Sequence, residues 1–435
     1  MATEPHTLAR RLLGSLIATG LFLAVVTSSS CIEQRPTVTT TPPVQIVTPR
    51  WEPRAARVLL VDRAPSATLA SAARYTITPG DTPAGAISAH LDQGTQLAET
   101  TVRPVAAGLT IGSRTFPQSA LLIGSDSDGA LSVNGARYRG QILIRRLAPD
   151  QVSVLNLIPV EPYLYSVVGS ESFESWPDAA LEAQTIIARS YALWRIATRR
   201  DEPYDLVATV MDQNYGGVAK EKARFRTIVD RTEGLALLYQ LKLYRCYYHS
   251  TCGGHTDAVE NLFPDPPLAP LSGVACAYCT ASPHYRWQCE MKKDDLAEAL
   301  RKTGTPLNRL ARLEAVSRTP AGRVLDLAIE SDTGIRATLR ASDFRMRIGP
   351  RKLPSTWFDI RDRGAAYEFR GRGMGHGVGL CQWGSKGMAD MGHSAQAILG
   401  RYYPGATLHR LYRGKDYVQT EAAPATSAAS AGSGP

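Results

Sequence analysis

Three segments of this chain concentrate side chains that could do chemistry. The first runs from Glu161 to Pro177 and holds Glu171 among Val167, Val168, Phe173 and Trp176, ahead of a helix start. Apolar neighbours penalise a carboxylate, so its pKa rises toward the range that a general acid near neutral pH needs. Glu161 and Glu174 are the carboxylates that could partner it. Read alone, Glu171 could equally be a surface-loop carboxylate. The second segment is Tyr248 to Thr256, followed by Cys276-Ala-Tyr-Cys279. Cys252-x-x-His255 and Cys276-x-x-Cys279 have the knuckle spacing that presents four ligands tetrahedrally, which predicts one structural zinc on Cys252, His255, Cys276 and Cys279, with His249 able to replace His255. Disulfides are the rival, because Cys246, Cys252, Cys276, Cys279, Cys289 and Cys381 form an even set once Cys31 is set aside. The third segment, Gly371 to Gly384, frames His376, Gln382 and Trp383 with closely spaced glycines. It lacks the order of a phosphate loop. It could be a glycine turn around a core histidine, and Cys381 with His376 or His393 could form a Cys–His peptidase pair.

The elements that must hold these segments are mixed. Short apolar runs at 57–61, 120–124, 141–145 and 152–158 read as strands, with hairpin turns at Asp128-Gly129 and Asn134-Gly135. A helix follows the glutamate segment, with Ser175 as N-cap, Pro177 in the first turn and Asp178 completing a capping pattern. Ala180, Ala183, Gln184, Ile187, Tyr191 and Trp194 share one face at helical spacing, and the other face carries Ile186 and Leu193. Such a helix is packed on more than one side. Further helices are expected at 292–302 and 394–402. The fold class is therefore α+β, a β-rich body with one central buried helix after the catalytic loop.

Length and composition bound the rest. The 435 residues allow two or three domains. With 44% apolar and 20% charged residues, a wholly disordered, collagenous or coiled-coil chain is excluded. The net charge of +9 favours anionic partners. Arg10 and Arg11 precede an apolar run, Leu12 to Val26, and then Ser28-Ser-Ser30-Cys31. That order is a secretory signal, and the small residues before cysteine make Cys31 a lipidation candidate and the N-terminus of an exported, lipid-anchored protein. Residues 1–31 are assigned to this leader, 32–56 to a Pro/Thr-rich linker, 57–159 to a β-rich N-terminal part, 160–410 to the catalytic region and 411–435 to a disordered tail.

Several motifs recur in a family order. They are Tyr138-Arg-Gly140, Glu161-x-Tyr-Leu164, Ser170-Glu171, Trp176-Pro177, Ala183-Gln184 and Ala188-Arg-Ser-Tyr-Ala192. Further along come Gln213-x-Tyr-x-Gly217, Tyr248-x-Ser250, Gly253-Gly254-x-Thr256, Gly375-His-Gly-Val-Gly379, Gln382-Trp-Gly384, Ile398-Leu399 and Tyr402-Tyr-Pro-Gly405. Over residues 57–410 the chain resembles the SpoIID/LytB family. The resemblance implies a lytic transglycosylase that cleaves MurNAc–GlcNAc linkages of denuded peptidoglycan strands and leaves a 1,6-anhydro-muramyl end. Glu171 would be its acid and base, and Gln184, Arg189, Tyr191, Tyr248, Ser250, His376 and Gln382 would line the groove. No cofactor is needed for that chemistry, and nucleic acid has no place among the partners. Gly169 and Ser172 depart from the family pattern, which often has Pro and Met there. The same family also implies an alternative, a non-catalytic wall-binding enhancer of an N-acetylmuramoyl-L-alanine amidase.

Overall fold

The computed structural model describes residues 55–80, 90–302, 304–305 and 307–414, together with the backbone of Gln45–Ile46. The leader with Cys31, most of the 32–56 linker and the tail beyond residue 414 lie outside the described residues. Within the linker, Gln45–Ile46 forms a two-residue strand that pairs in parallel with His409–Arg410.

Two sheets make the N-terminal body. One has seven strands in the order 206–207, 56–64, 151–158, 141–148, 120–125, 75–79 and 92–94. The other has six, in the order 136–138, 131–133, 67–71, 97–105, 108–111 and 114–116. The four apolar runs read from sequence all fall on strands of the first sheet. Asn134-Gly135 joins strands 131–133 and 136–138 as a two-residue hairpin, with both residues at positive φ (48° and 79°). Alternation along these strands sends Leu69, Ile77, Val102, Leu121, Ile123, Leu131, Ile142 and Val154 into one shared core.

Eight helices are described: α1 (Val160–Glu171), α2 (Asp178–Thr198), α3 (Ala223–Arg231), α4 (Val259–Leu262), α5 (Lys293–Lys302), α6 (Ala341–Ile348), α7 (Gln382–Asp390) and α8 (Ala395–Tyr402). The fold is α+β, and α2 is its centre. Ala180, Leu181, Ala188, Ala192 and Leu193 pack into the core of the two sheets, while Ala183, Ile186 and Ile187 pack into a second core with Val378, Leu380, Ile398 and Leu399. Small alanines on both faces let neighbours approach on both sides. A third core, built on Leu296, Leu327, Phe344, Phe358 and Phe369, belongs to residues 287–371, which carry α5, α6 and two three-stranded sheets.

Two local expectations need correction. Glu171 does not lie in a loop, because Val160–Glu171 is helical and Glu171 is its last residue. Apolar side chains surround α1 on nearly all sides, so the segment has no polar face to signal a helix. Gly169 lets it dock, since a Cβ there would meet the Lys220 carbonyl oxygen at 2.0 Å. Ser175 is not the cap of α2 either. The helix starts at Asp178 after Pro177, with no side-chain cap, and the Asp178 carboxylate instead accepts from Arg224 and Arg231. Periodicity does not signal helices α1, α3, α4, α6 and α7; it does signal α5 and α8, and Ser394 caps α8 by accepting from the Ala397 amide at 3.2 Å.

Candidate functional site

The C-terminal end of α1, the start of α7 and the loop 208–216 converge on Glu171. The Asn214 amide donates to Glu171 Oε1 at 2.8 Å. Gln382, the first residue of α7, donates through Nε2 to the Glu171 carbonyl oxygen at 3.0 Å and toward Gln184 Oε1 at 3.4 Å. Burial raises the Glu171 pKa, and hydrogen bonds from Asn214 and Gln382 only partly oppose it. The carboxyl is half-buried.

The loop 208–216 is fixed from beneath. Asp212 accepts from the Tyr191 hydroxyl at 2.6 Å, from Arg195 Nε at 2.8 Å and from the Val207 amide at 2.9 Å. Gln213 accepts from the Tyr163 hydroxyl and donates to the Tyr248 hydroxyl, both at 3.2 Å. Tyr215 donates to Asn156 at 2.7 Å. With three side chains anchored, the Asn214 amide is presented to the carboxylate without a search. Burial holds the Tyr248 phenol well above its ordinary pKa, and the Glu171 charge raises it further. Tyr248 therefore stays a neutral hydroxyl beside the acid.

Aromatic rings gather just past the end of α1. Phe173, 60% exposed, stands 5.5 Å from Trp176, and Trp176 meets Trp383 edge-on at 5.7 Å. Arg224 clasps the intervening turn by donating to the Glu174 and Trp176 carbonyls and to Asp178. Ser170 Oγ, Ser172 Oγ and Gln184 Nε2 are buried with no hydrogen-bond partner among the described residues. Unsatisfied polar atoms flanking a single acid suit a polar ligand.

The sequence-derived residues divide. Gln184, Tyr248 and Gln382 gather at Glu171. Ser250 lies at the margin; its carbonyl accepts from the Trp383 amide at 3.0 Å and its hydroxyl bonds to Thr251. Arg189, expected in the groove, is instead buried and bidentate to Glu161 at 2.6 and 2.7 Å. Tyr191 is buried with its hydroxyl on Asp212. His376 also departs from the groove reading. Its Nε2 donates to the Tyr248 carbonyl at 2.8 Å and its Nδ1 accepts from the Val378 amide at 3.1 Å, and burial lowers its pKa to about 3. With both nitrogens on backbone it is a neutral bracket, and it cannot serve Cys381 as a peptidase base. Asp212, Gln213 and Asn214 were missed as site residues, although Gln213-x-Tyr-x-Gly217 stood among the family motifs.

Glu161 is not available to Glu171, because its carboxylate is held by Arg189. Glu161 opens the helix that Glu171 closes, roughly 15 Å away along the axis at 1.5 Å per residue. The Glu174 side chain is exposed.

Thiols form a second cluster. The Sγ atoms of Cys252, Cys276, Cys279 and Cys381 all lie within 4.8 Å of one another and are buried. His255 is not among them; its Nδ1 lies against the Thr256 carbonyl. The fourth position falls to Cys381 because strand 380–381 pairs in parallel with 248–249, bringing the end of the glycine-rich segment back to Cys252. None of the six cysteines in the described residues is bridged.

Residues 149–239, which contain Glu171 and most of its frame, match the family model described as Stage II sporulation protein. An uncharacterized protein of Brachyspira hyodysenteriae is 30% identical over 284 residues, covering 65% of this chain and 75% of that protein. The chain belongs to the SpoIID/LytB family. Among its relatives, Stage II sporulation protein D of Bacillus subtilis is 27% identical across 58% of this chain and 74% of its own length. The Amidase enhancer of the same organism is 26% identical across 56% of this chain and only 40% of its own length. Residues 277–379 match a domain of unknown function, which coincides with the third core. Family membership supports a cell-wall role.

Proposed function

We propose that the chain is a peptidoglycan lytic transglycosylase acting on denuded glycan strands, with Glu171 as its single acid and base. The observation that carries this reading is one half-buried, desolvated carboxyl that accepts from the Asn214 amide, while Glu161 in the same helix is committed to Arg189. Hydrolases of glycosides use two carboxyl groups at defined separation. A lytic transglycosylase needs one. Glu171 as an acid protonates the glycosidic oxygen as the bond to the muramyl C1 breaks. As a carboxylate it then accepts the proton of the muramyl 6-hydroxyl, whose oxygen bonds C1 and closes the anhydro ring. The Asn214 amide steadies the carboxylate between these steps. Gln382, Gln184 and Tyr248 offer amide and hydroxyl groups to sugar hydroxyls and N-acetyl groups, and Phe173 on its clasped turn offers an apolar face to a pyranose ring.

Mass spectrometry of purified strands, denuded and intact, after incubation with the chain tests the reading. Anhydro-muramyl ends from denuded strands are the expected result. If none form while a wall amidase is accelerated, the chain is an enhancer, as the name of one relative suggests.

Among the described residues no helix is long and apolar enough to cross a membrane. We place the protein outside the cytoplasm, held to the membrane by lipid on Cys31, because the Arg–apolar–small–Cys order precedes a wall-directed domain. Labelled fatty acid should enter the wild type and not Cys31→Ala. Equal labelling of both, or none in either, removes the anchor.

A further inference from the structure

We propose that Cys252, Cys276, Cys279 and Cys381 bind one zinc ion as a closed tetrathiolate, with Arg323 as its buried counter-charge. The site would cross-tie both ends of the inserted region 277–379 to the catalytic unit.

The sulfurs have the right spread. Zn–S bonds of about 2.3 Å put tetrahedral sulfurs about 3.8 Å apart. Here Cys252 and Cys279 stand 3.5 Å apart and no pair exceeds 4.8 Å. None of the four is bridged to another. Their surroundings treat sulfur as an acceptor. The Cys252 and Gly384 amides donate to Cys381 Sγ at 3.2 and 3.3 Å, and the Gly254 amide points to Cys252 Sγ at 3.4 Å. The Tyr402 hydroxyl lies 3.1 Å from Cys276 Sγ. Amides aimed at sulfur favour thiolate, the form that ligates metal.

Arg323 is the independent sign. It is fully buried, and its Nη2 donates to the carbonyl of Cys252 at 2.8 Å. Nε and Nη1 have no hydrogen-bond partner among the described residues. Asp257 is 3.9 Å away and already accepts from Thr319. A buried guanidinium with so little compensation needs nearby negative charge. Four thiols that bind Zn²⁺ release four protons to solvent, and the resulting centre carries two negative charges. Room for the cation is made at Gly377, where a Cβ would fall 2.3 Å from the guanidinium carbon.

Position gives the site its purpose. Cys276 and Cys279 stand at the entry to the inserted region, and Cys381 stands just past its exit. Cys381 also caps α7, so the metal fixes Gln382 and Trp383 where they meet Glu171. Only this last consequence rests on the proposed reaction; metal content does not.

The full chain, purified without chelator, should contain about one zinc by elemental analysis, and cobalt(II) exchanged into it should give the sulfur-to-metal charge-transfer and tetrahedral d–d bands of an all-sulfur set. His255→Ala should keep its zinc. Cys381→Ser and Arg323→Met should each lose zinc to a competing chelator at least tenfold faster, with Arg323→Lys in between. Disulfides among the four cysteines, or zinc that survives Cys381→Ser and departs with His255→Ala, overturns the assignment. Should Cys381→Ser fail to fold, the wild-type cobalt spectrum decides, since a mixed nitrogen–sulfur set would overturn the assignment and an all-sulfur set supports it.

Discussion

Glu171→Gln is expected to lower release of anhydro-muramyl products by roughly a hundredfold or more, the usual worth of a positioned acid–base group. Glutamine keeps the shape and can still accept from the Asn214 amide, so only the transferable proton is lost. Strand binding should survive. Glu174→Gln, on an exposed side chain, should retain most activity.

The same residue sets a pH dependence whose direction follows from burial. Its folded pKa is raised, so the folded state holds the proton more tightly than the unfolded chain does. Stability is therefore lost as pH rises from the unfolded glutamate value, about 4.3, through the folded value. Glu171→Gln removes that loss. The variant should match the wild type in melting temperature at pH 4 and exceed it at pH 7, an active-site trade of stability for function. Turnover should fall as pH rises through the raised pKa, because the first step needs the protonated acid. A Gln variant that cleaves near the wild-type rate, or that is the less stable of the two at pH 7, would remove Glu171 from its role.

Four strands of the first sheet were legible because they depend on alternation, and Glu171 because its apolar neighbours mark it locally, whereas Gln184 and Gln382 came from the family resemblance. What stayed hidden depends on long-range pairing. No spacing rule links Cys381 to Cys252, 129 residues earlier, until a parallel strand pair brings them together. Arg189 and His376 have the side chains of sugar-binding residues, and only the fold shows their polar atoms already engaged. Helix α1 escaped for a related reason. A helix buried on nearly every side has no amphipathic stripe, and its proline, Pro162, and glycine, Gly169, read as loop.

Glu161 shows how a site glutamate and a structural one diverge within a single helix. Arg189, fully buried, places two nitrogens on its carboxylate and further hydrogen bonds on the Leu235 and Val229 carbonyls at 3.1 and 3.3 Å. The Tyr412 hydroxyl donates to the same carboxylate at 2.6 Å. On sequence grounds Glu161→Gln is a mild change that should keep most activity. The structure predicts otherwise. Removing one charge of a buried pair strands the other, at a cost of about 3–5 kcal/mol. Glu161→Gln should therefore unfold at markedly lower denaturant concentration and yield less folded protein. Replacing both partners by apolar residues of similar volume, as in Glu161→Leu with Arg189→Met, should recover much of that loss, because no charge is then left unpaired. The folded fraction of Glu161→Gln should still cleave strands at close to the wild-type rate per molecule, since its carboxylate lies roughly three helical turns from Glu171. A Glu161→Gln protein as stable as the wild type but catalytically dead would make Glu161 a second catalytic carboxylate and end the single-acid reading.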